Sequence, residues 1–493
     1  MRKTVKKLTA VGLTVTSVLG LVACGSSKGT TSQGTSENKE VTKPDTFTVM
    51  CDGTVVTETN GAEAFYKQLN EATGLDIKWT RPDHASYYDA VANAFNSDDT
   101  MPDVVLLSSD YYALYASNGF LWNMTDAWEH SETKNSGRLI STADNVLSAL
   151  MVNGEDGTKA MYGLSLYRGN GCCTYVKKAW LDKAGIDASK VKDVQMDFNT
   201  YYGYLKQMAQ TMGHYVISSP GFIHPEAPNT NYLPEFYQKA QYTFYKDTSG
   251  KYVDGFAQQE MKEALQRIQT AVNDGVIDKE SVNNSTANAR DKFYSTDPST
   301  ETGVFTYWAG TWANTLKTNL ANKGLDDELI AIKPIKELGA YTERIAPCWC
   351  ITSAAKNPEG IFKYFIDKML DGGDVQMLWT HGAKGTHWDD KAETVTVEKK
   401  EDQPKTYTEG QFHYLPGIEK PDQWQTKNHI DPILSIANFT NGYVGESLIP
   451  EVARENGEFF AENSQVAVPL PMTSELSNNI GDINTARTYV IAQ

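Results

Sequence analysis

From residue 45 onward the chain alternates between two hydrophobic rhythms. "TFTVMCDG" sets apolar against polar positions and predicts a strand ending in a turn. "GAEAFYKQLNEATG" then places Ala62, Phe65, Tyr66 and Leu69 on one helical face, with Gly74 positioned to stop the helix. "LDIKWT" alternates as a strand, "SYYDAVANAFNSDD" carries a second helical stripe, and "PDVVLLSS" is the short continuous apolar run of a buried parallel strand. This succession predicts an α/β fold, a mostly parallel sheet with helices on both faces. Further on, "VNGEDGTKAMYG" predicts a hairpin around Asp156–Gly157. "QEMKEALQRIQTAVNDG" predicts a helix with Met261, Ala264, Leu265, Ile268 and Val272 on one stripe, closed by Gly275. "GIFKYFIDKML" repeats that pattern with Ile361, Phe362, Phe365, Ile366 and Met369. No internal repeat is visible. About 450 residues exceed one typical domain, so two lobes are expected.

The first 44 residues follow neither rhythm. "MRKTVKK" is basic, and "LTAVGLTVTSVLGLVA" is apolar but softened by Thr and Gly. That stretch is shorter than the ~20 predominantly apolar residues of a membrane-spanning helix, and residues 1–23 read as a secretion signal. "LVAC" has the form of a bacterial lipobox, which makes Cys24 the expected lipid-attachment point. The alternative is an ordinary signal peptide cut nearby. "GSSKGTTSQGTSENKEVTKP" has no aliphatic residue before Val41 and cannot offset its ordering entropy by burial. Residues 24–44 therefore read as a tether reaching about 25 Å root-mean-square. The expected location is the extracellular face of the cell membrane, lipid-anchored.

Charge narrows the partners. Removing residues 1–23 takes away four positive charges and no acid, moving the net charge from −17 to −21. So acidic a chain repels nucleic acid. The remaining cysteines, Cys51, Cys172, Cys173, Cys348 and Cys350, show no zinc-like spacing. They could form disulfides in an extracellular compartment or pack as small buried hydrophobes. No cofactor or metal is expected, and the chain reads as a monomer.

Four ordered segments resemble the family 1 extracellular solute-binding proteins, the sugar-binding lipoproteins of bacterial ABC importers. They are "NSDDTMPDVVLLSSDYYALYASNGFLWNMTD", "AMYGLSLYRGNGCCTYVKKAWLDKAGI", "TGVFTYWAGTW" and "CWCITSAAKNPEGIFKYFIDKML". Together they cover most of residues 45–390. The chain departs from the family pattern at "CC", at "CWC" and at "DVQMDFNTYYGYLKQM". The resemblance implies a two-lobed type 2 periplasmic-binding fold with a ligand cleft between the lobes. Lobe 1 would span 45–165 plus 341–385, and lobe 2 would span 166–340 plus 386–493. It also implies a carbohydrate ligand handed to ABC permease subunits, and the spread of candidate aromatics through several loops points to an oligosaccharide rather than a monosaccharide.

Sugars pack their C–H faces on aromatic rings and need polar groups for their hydroxyls. The chain supplies 10 Trp and 26 Tyr, a stock from which such walls can be built. Trp312 matches the family's stacking tryptophan, and Trp308 would share its wall if a helix starts there. Their alternative place is the core. Asp110 and Tyr111 should emerge at a strand's carboxyl end, although Asp110 also suits a helix N-cap. Asp52 follows the first strand by the same logic, or simply makes a turn. Tyr167 and Arg168 lie at the expected first crossover, and Arg168 could fork onto paired hydroxyls or an acidic sugar, or simply pair with a surface acid. Phe222 and His224 follow the apolar "YVIS". Trp349 and Trp388 complete the candidates, with packing beneath the hinge as their alternative.

Catalytic signatures are missing from the sequence. There is no Gly-x-Ser-x-Gly elbow, phosphate-cradling loop or His-Glu-x-x-His, and His381 and His387 are a weak metal signal. A non-enzymatic receptor is the leading expectation. A secreted glycan-acting lipoprotein hydrolase, whose two carboxylates no motif would reveal, and a peptide-binding receptor stand behind it.

Overall fold

The computed structural model describes residues 40–386 apart from 54–61, 84–85, 166–167, 223–230, 243, 248 and 326–327. Beyond 386 it describes 388–389, 413–414, 440, 442, 451–467 and scattered positions from 479 to 491. The expected signal, Cys24 and most of the tether lie outside the described residues. The tether's expected last stretch does not: Pro44 is buried, and the Val41 and Thr42 carbonyls accept from Tyr364 and Asn357. The packed chain thus begins a few residues ahead of the first strand.

Two sheets organise the body. The first has the strand order Asp76–Thr80, Thr46–Met50, Val104–Leu107, Cys348–Ile351, Gly163–Leu164. Its first three strands are parallel, as the strand–helix alternation predicts. The last two run antiparallel to their neighbours. The second sheet is antiparallel throughout, with Cys172–Lys177 between Val304–Trp308 and Leu329–Ala331. Single parallel bridges from Ile217 to Ile277 and Val304 extend it. The expectation of a mostly parallel arrangement is therefore corrected for half of the fold. The cause is connectivity: Cys172–Lys177 enters directly from the first sheet rather than through a crossover helix of its own, so nothing imposes a parallel partner.

The helical stripes fold as the periodicity predicts. Ala62–Thr73 buries Ala62, Phe65 and Leu69, and Gly74 follows at φ 62°. Gln259–Asn273 buries Met261, Ala264, Ile268 and Ala271, leaving Leu265 and Val272 at its margin. The hairpin forms with Met151–Asn153 opposite Lys159–Met161. The stripe at 361–369 folds less regularly, as helix Pro358–Ile361, a wide π turn Phe362–Ile366 and a 3-10 turn Asp367–Leu370. The irregularity has visible uses. Phe365 meets Phe47 and Trp349 edge-on at centroid distances of 5.3 and 6.0 Å. The buried Asp367 carboxylate accepts from the Glu132 and Thr133 backbone amides at 2.8 and 3.2 Å.

Trp349 is a core residue, which corrects its candidacy for the ligand wall. It is 4% exposed, stands in register with Leu106 and Leu164, and meets Trp379 at 5.5 Å. All four residues of its strand are buried, because the sheet is covered on both faces. Truncating such a ring removes a large apolar volume that its neighbours cannot refill. Trp349→Ala should cost about 3–5 kcal/mol of folding stability, measured by denaturant unfolding without ligand.

Candidate functional site

The site is built where the chain crosses between the sheets. Cys348–Ile351 pairs Cys348 with Leu107, and the second sheet pairs Trp308 with Cys172. Each pairing puts a strand's carboxyl end beside a crossing segment: 344–347 for Leu107, and 165–171 for Trp308. The candidate residues after those strands therefore sit on the two edges that the crossings join. This is where ligands of α/β sheets bind.

The crossings touch so closely that side chains are excluded. A Cβ on Gly169 would fall 1.7 Å from the Arg344 carbonyl oxygen, and one on Gly171 would fall 2.1 Å from that of Thr342. Between them Asn170 adopts φ 63°, a conformation that asparagine tolerates better than most residues. Its carbonyl accepts from the Arg344 amide at 3.0 Å, and its side chain donates to the Ala309 carbonyl at 3.2 Å. A further strand, Ser464–Val466, pairs in parallel with Tyr341–Glu343.

Arg168 belongs to this knot, which corrects its expected role as a ligand-facing fork. It is 1% exposed and Glu343 is fully buried. The guanidinium grips both carboxylate oxygens of Glu343 and also donates to Thr142. The Ser464 hydroxyl donates to the same carboxylate at 3.2 Å. Its neighbour Tyr167 lies outside the described residues.

On the first sheet, Asp52, Asp110 and Tyr111 share one carboxyl-terminal edge. Ser108, not Asp110, is the N-cap of helix Ser109–Ser117. Asp110 lies in the first turn, where its carboxylate accepts from the Ser108 hydroxyl at 2.6 Å. Tyr111 stacks on Tyr88 with centroids 3.9 Å apart and planes 8° apart. Tyr88 was not expected from sequence, although its place in the stripe "SYYDAVANAF" offered a signal. Burial pushes the Tyr88 phenol up to about 12, so it stays a neutral hydrogen-bonding group.

On the second sheet, Trp308 and Trp312 are both half-buried around the start of helix Thr311–Asn322. Trp312 meets Tyr307 edge-on at 5.4 Å, and the Arg344 guanidinium lies 4.7 Å from the Trp308 ring centroid. Asn456 holds the turn between them, with its side-chain oxygen accepting from the Gly310 amide at 2.7 Å and from the Tyr175 hydroxyl at 3.0 Å. Sequence reasoning missed Asn170, Arg344 and Asn456. "RGNG" was a signal for the first, but a single Arg or Asn in an amphipathic segment gave none for the others.

Phe222 stands apart. It lines a cavity of about 670 Å³ along helix Gln259–Asn273, together with Phe256, Val490 and Ile491, and none of the described tryptophans borders it. His224 lies outside the described residues. For Trp388 only the backbone is described, in a short pairing with Tyr414. Among the described residues no three His, Cys, Asp or Glu side chains converge as a metal site, and no helix is long and apolar enough to cross a membrane.

Beneath the crossing lies Glu235, 1% exposed and facing the Tyr341 hydroxyl at 3.3 Å, with Thr174 and Tyr201 beside it. Burial pushes its carboxyl up to about 7.

No protein-family model matches the chain, and no curated protein matches it. Solved structures do. One is an extracellular solute-binding protein family 1 from Alicyclobacillus acidocaldarius subsp. acidocaldarius DSM 446, with TM-score 0.57 and 14% identity over 92% of this chain and 94% of that one. Another is an HMO-binding, ABC-transporter-associated solute-binding protein from Bifidobacterium longum infantis ATCC 15697, with TM-score 0.54 and 13% identity over 91% and 90%. A third is an N-glycan transport solute-binding protein from Streptococcus pneumoniae, with TM-score 0.53 and 17% identity over 91% of each. The chain thus has the two-lobed α/β fold of the extracellular solute-binding proteins.

Glu235 supplies a prediction of pH dependence. A carboxyl whose native value is raised binds its proton more tightly folded than unfolded. Its contribution is full below the unfolded value and is lost as pH rises toward 7. Between about pH 4.5 and 7 this group should therefore remove on the order of 3 kcal/mol of stability. The loss should disappear in Glu235→Gln, as measured by denaturant unfolding across that range.

Proposed function

We propose that the chain is a membrane-tethered solute-binding lipoprotein that captures an oligosaccharide and delivers it to the permease of an ABC transporter. The observation that carries this reading is the chemistry of the two joined edges. One presents Trp308 and Trp312, and the other presents Asp52, Asp110 and Tyr111. Half-buried aromatic rings suit sugar C–H faces, and carboxylates accept pairs of sugar hydroxyls. The HMO and N-glycan named for two of the similar structures support the same class of ligand.

In this reading residues 45–165 and 341–385 form one lobe, and 166–340 and 386–493 form the other. Ligand contacts to both would favour a closed arrangement, with motion confined to the crossings. The protein works extracellularly as a monomer, anchored through Cys24, and needs no catalytic group. The test is calorimetry against an oligosaccharide panel with product analysis. Stoichiometric heat without shortened products supports a receptor, and shortened products that track the protein overturn it.

Trp312→Ala should weaken oligosaccharide binding roughly tenfold to a few hundredfold, since ring stacking and lost apolar area together amount to about 1.5–3.5 kcal/mol. Apo melting should change little, because the ring is half-buried before ligand arrives. A large fall in apo melting with unchanged affinity would make Trp312 a core residue.

Cys24→Ala should release the protein from membranes at unchanged ligand affinity. Cell fractionation reads the outcome, and a variant that still sediments with membranes removes the anchor.

A further inference from the structure

Glu343 and Arg344 are consecutive on the crossing strand, and strand alternation sends them opposite ways. Glu343 turns inward to Arg168, whereas Arg344 is exposed. Two contacts fix the Arg344 side chain. Its Nε donates to the Gly169 carbonyl at 2.7 Å, and its guanidinium lies over Trp308. With Nε used, the two terminal nitrogens remain as a planar donor pair. No carboxylate among the described residues pairs with them, although Arg168, Lys177 and Lys292 each hold an acid.

Arg267 and Arg290 also pair with no carboxylate among the described residues, but their guanidiniums are taken up by the Phe236 carbonyl and the Tyr307 hydroxyl, whereas among those residues nothing takes up the terminal nitrogens of Arg344. A guanidinium held between the Gly169 carbonyl and the Trp308 ring has already lost much of the freedom that binding would cost it. Sugar hydroxyls could accept from it, but a carboxylate matches its fork with charge-assisted bonds roughly twice as strong. The nearest acid in sequence, Glu343, is consumed by Arg168 and Ser464. The adjoining helix Thr311–Asn322 has no acidic residue in its first turn, so its own side chains place no negative charge there. Asp52 and Asp110 on the other edge would repel an acid and suit neutral hydroxyls.

We propose that the captured ligand is an acidic oligosaccharide, of the uronic or sialic acid type, whose carboxylate is received by Arg344 beside Trp308. This rests on the carbohydrate-capture reading and names the substrate class for the same site. The acidic residue lies toward the crossing and the second sheet, and the neutral residues lie toward Asp52 and Asp110.

The experiment uses the full chain in detergent and calorimetry with matched pairs. Uronic- and sialic-acid oligosaccharides are each titrated beside their methyl esters, which keep the rings and lose the charge. The acid of at least one pair should bind about tenfold to about a hundredfold more tightly than its ester, and the gap should narrow with added salt. Arg344→Gln should close that gap by weakening the acid and leaving the ester within about threefold. Apo melting of the variant shows whether the crossing has stayed intact, and Arg344→Lys, which keeps charge without the fork, should recover only part of the gap. Equal binding of acids and esters, or preference for neutral glycans in the panel, overturns the inference while leaving carbohydrate capture standing. Binding of no carbohydrate at all overturns both.

Discussion

The fold depends on one buried contact, the double-pronged ion pair of Arg168 and Glu343. Two charges removed from water are tolerated only when their geometry is good and their remaining hydrogen-bonding capacity is met. Here Thr142 takes part of the guanidinium's capacity and Ser464 donates to the carboxylate, so the pair recruits four separated parts of the chain. Two of them are the crossings between the sheets, and a third is the strand Ser464–Val466 paired beside one of them. The fourth, Thr142, precedes helix Ala143–Ala149 of the first sheet's core. Loss of either charged partner would strand the other's charge in the interior. The crossings are therefore specified as a set, and the glycines at 169 and 171 let their backbones approach closely enough to make it.

Much of the body was legible because burial writes itself as periodicity. The helices at Ala62–Thr73 and Gln259–Asn273, the hairpin and the buried strand Val104–Leu107 each follow from a repeat of apolar residues. Strand direction in the second sheet was not legible, since Cys172–Lys177 is buried at all six positions and no alternation marks a face. The same saturation hid the place of Trp349: a tryptophan in a fully buried strand and one at a strand's end look alike in one dimension. The cap that competed with the ligand role at Asp110 falls instead on Ser108, two residues earlier, which has the extended backbone that a cap requires. The candidate site was legible in part through the rings in "YWAGTW". Arg344 was not, because its significance lies in where Trp308 and Gly169 happen to stand.

Two chemistries divide the site between its edges. The first-sheet edge is acidic and carries a tight Tyr88–Tyr111 stack, while the second-sheet edge is aromatic and cationic. Each edge is braced from behind, by the Tyr87 hydroxyl across the Met50 and Leu106 carbonyls on one side and by Asn456 on the other. Each edge is thus held from its own side, and the crossings between the two are held by the Arg168–Glu343 pair.

The five described cysteines have a consequence of another kind. All are buried, and burial pushes Cys51, Cys173 and Cys348 up to about 12 and raises Cys350 well above the ordinary thiol value. A thiol held protonated inside a packed core is neither nucleophile nor ligand. The sulfurs of Cys51, Cys173, Cys348 and Cys350 therefore act as space-filling atoms of the core. To the folded protein these four positions count for the apolar volume they fill, much as alanine or valine would.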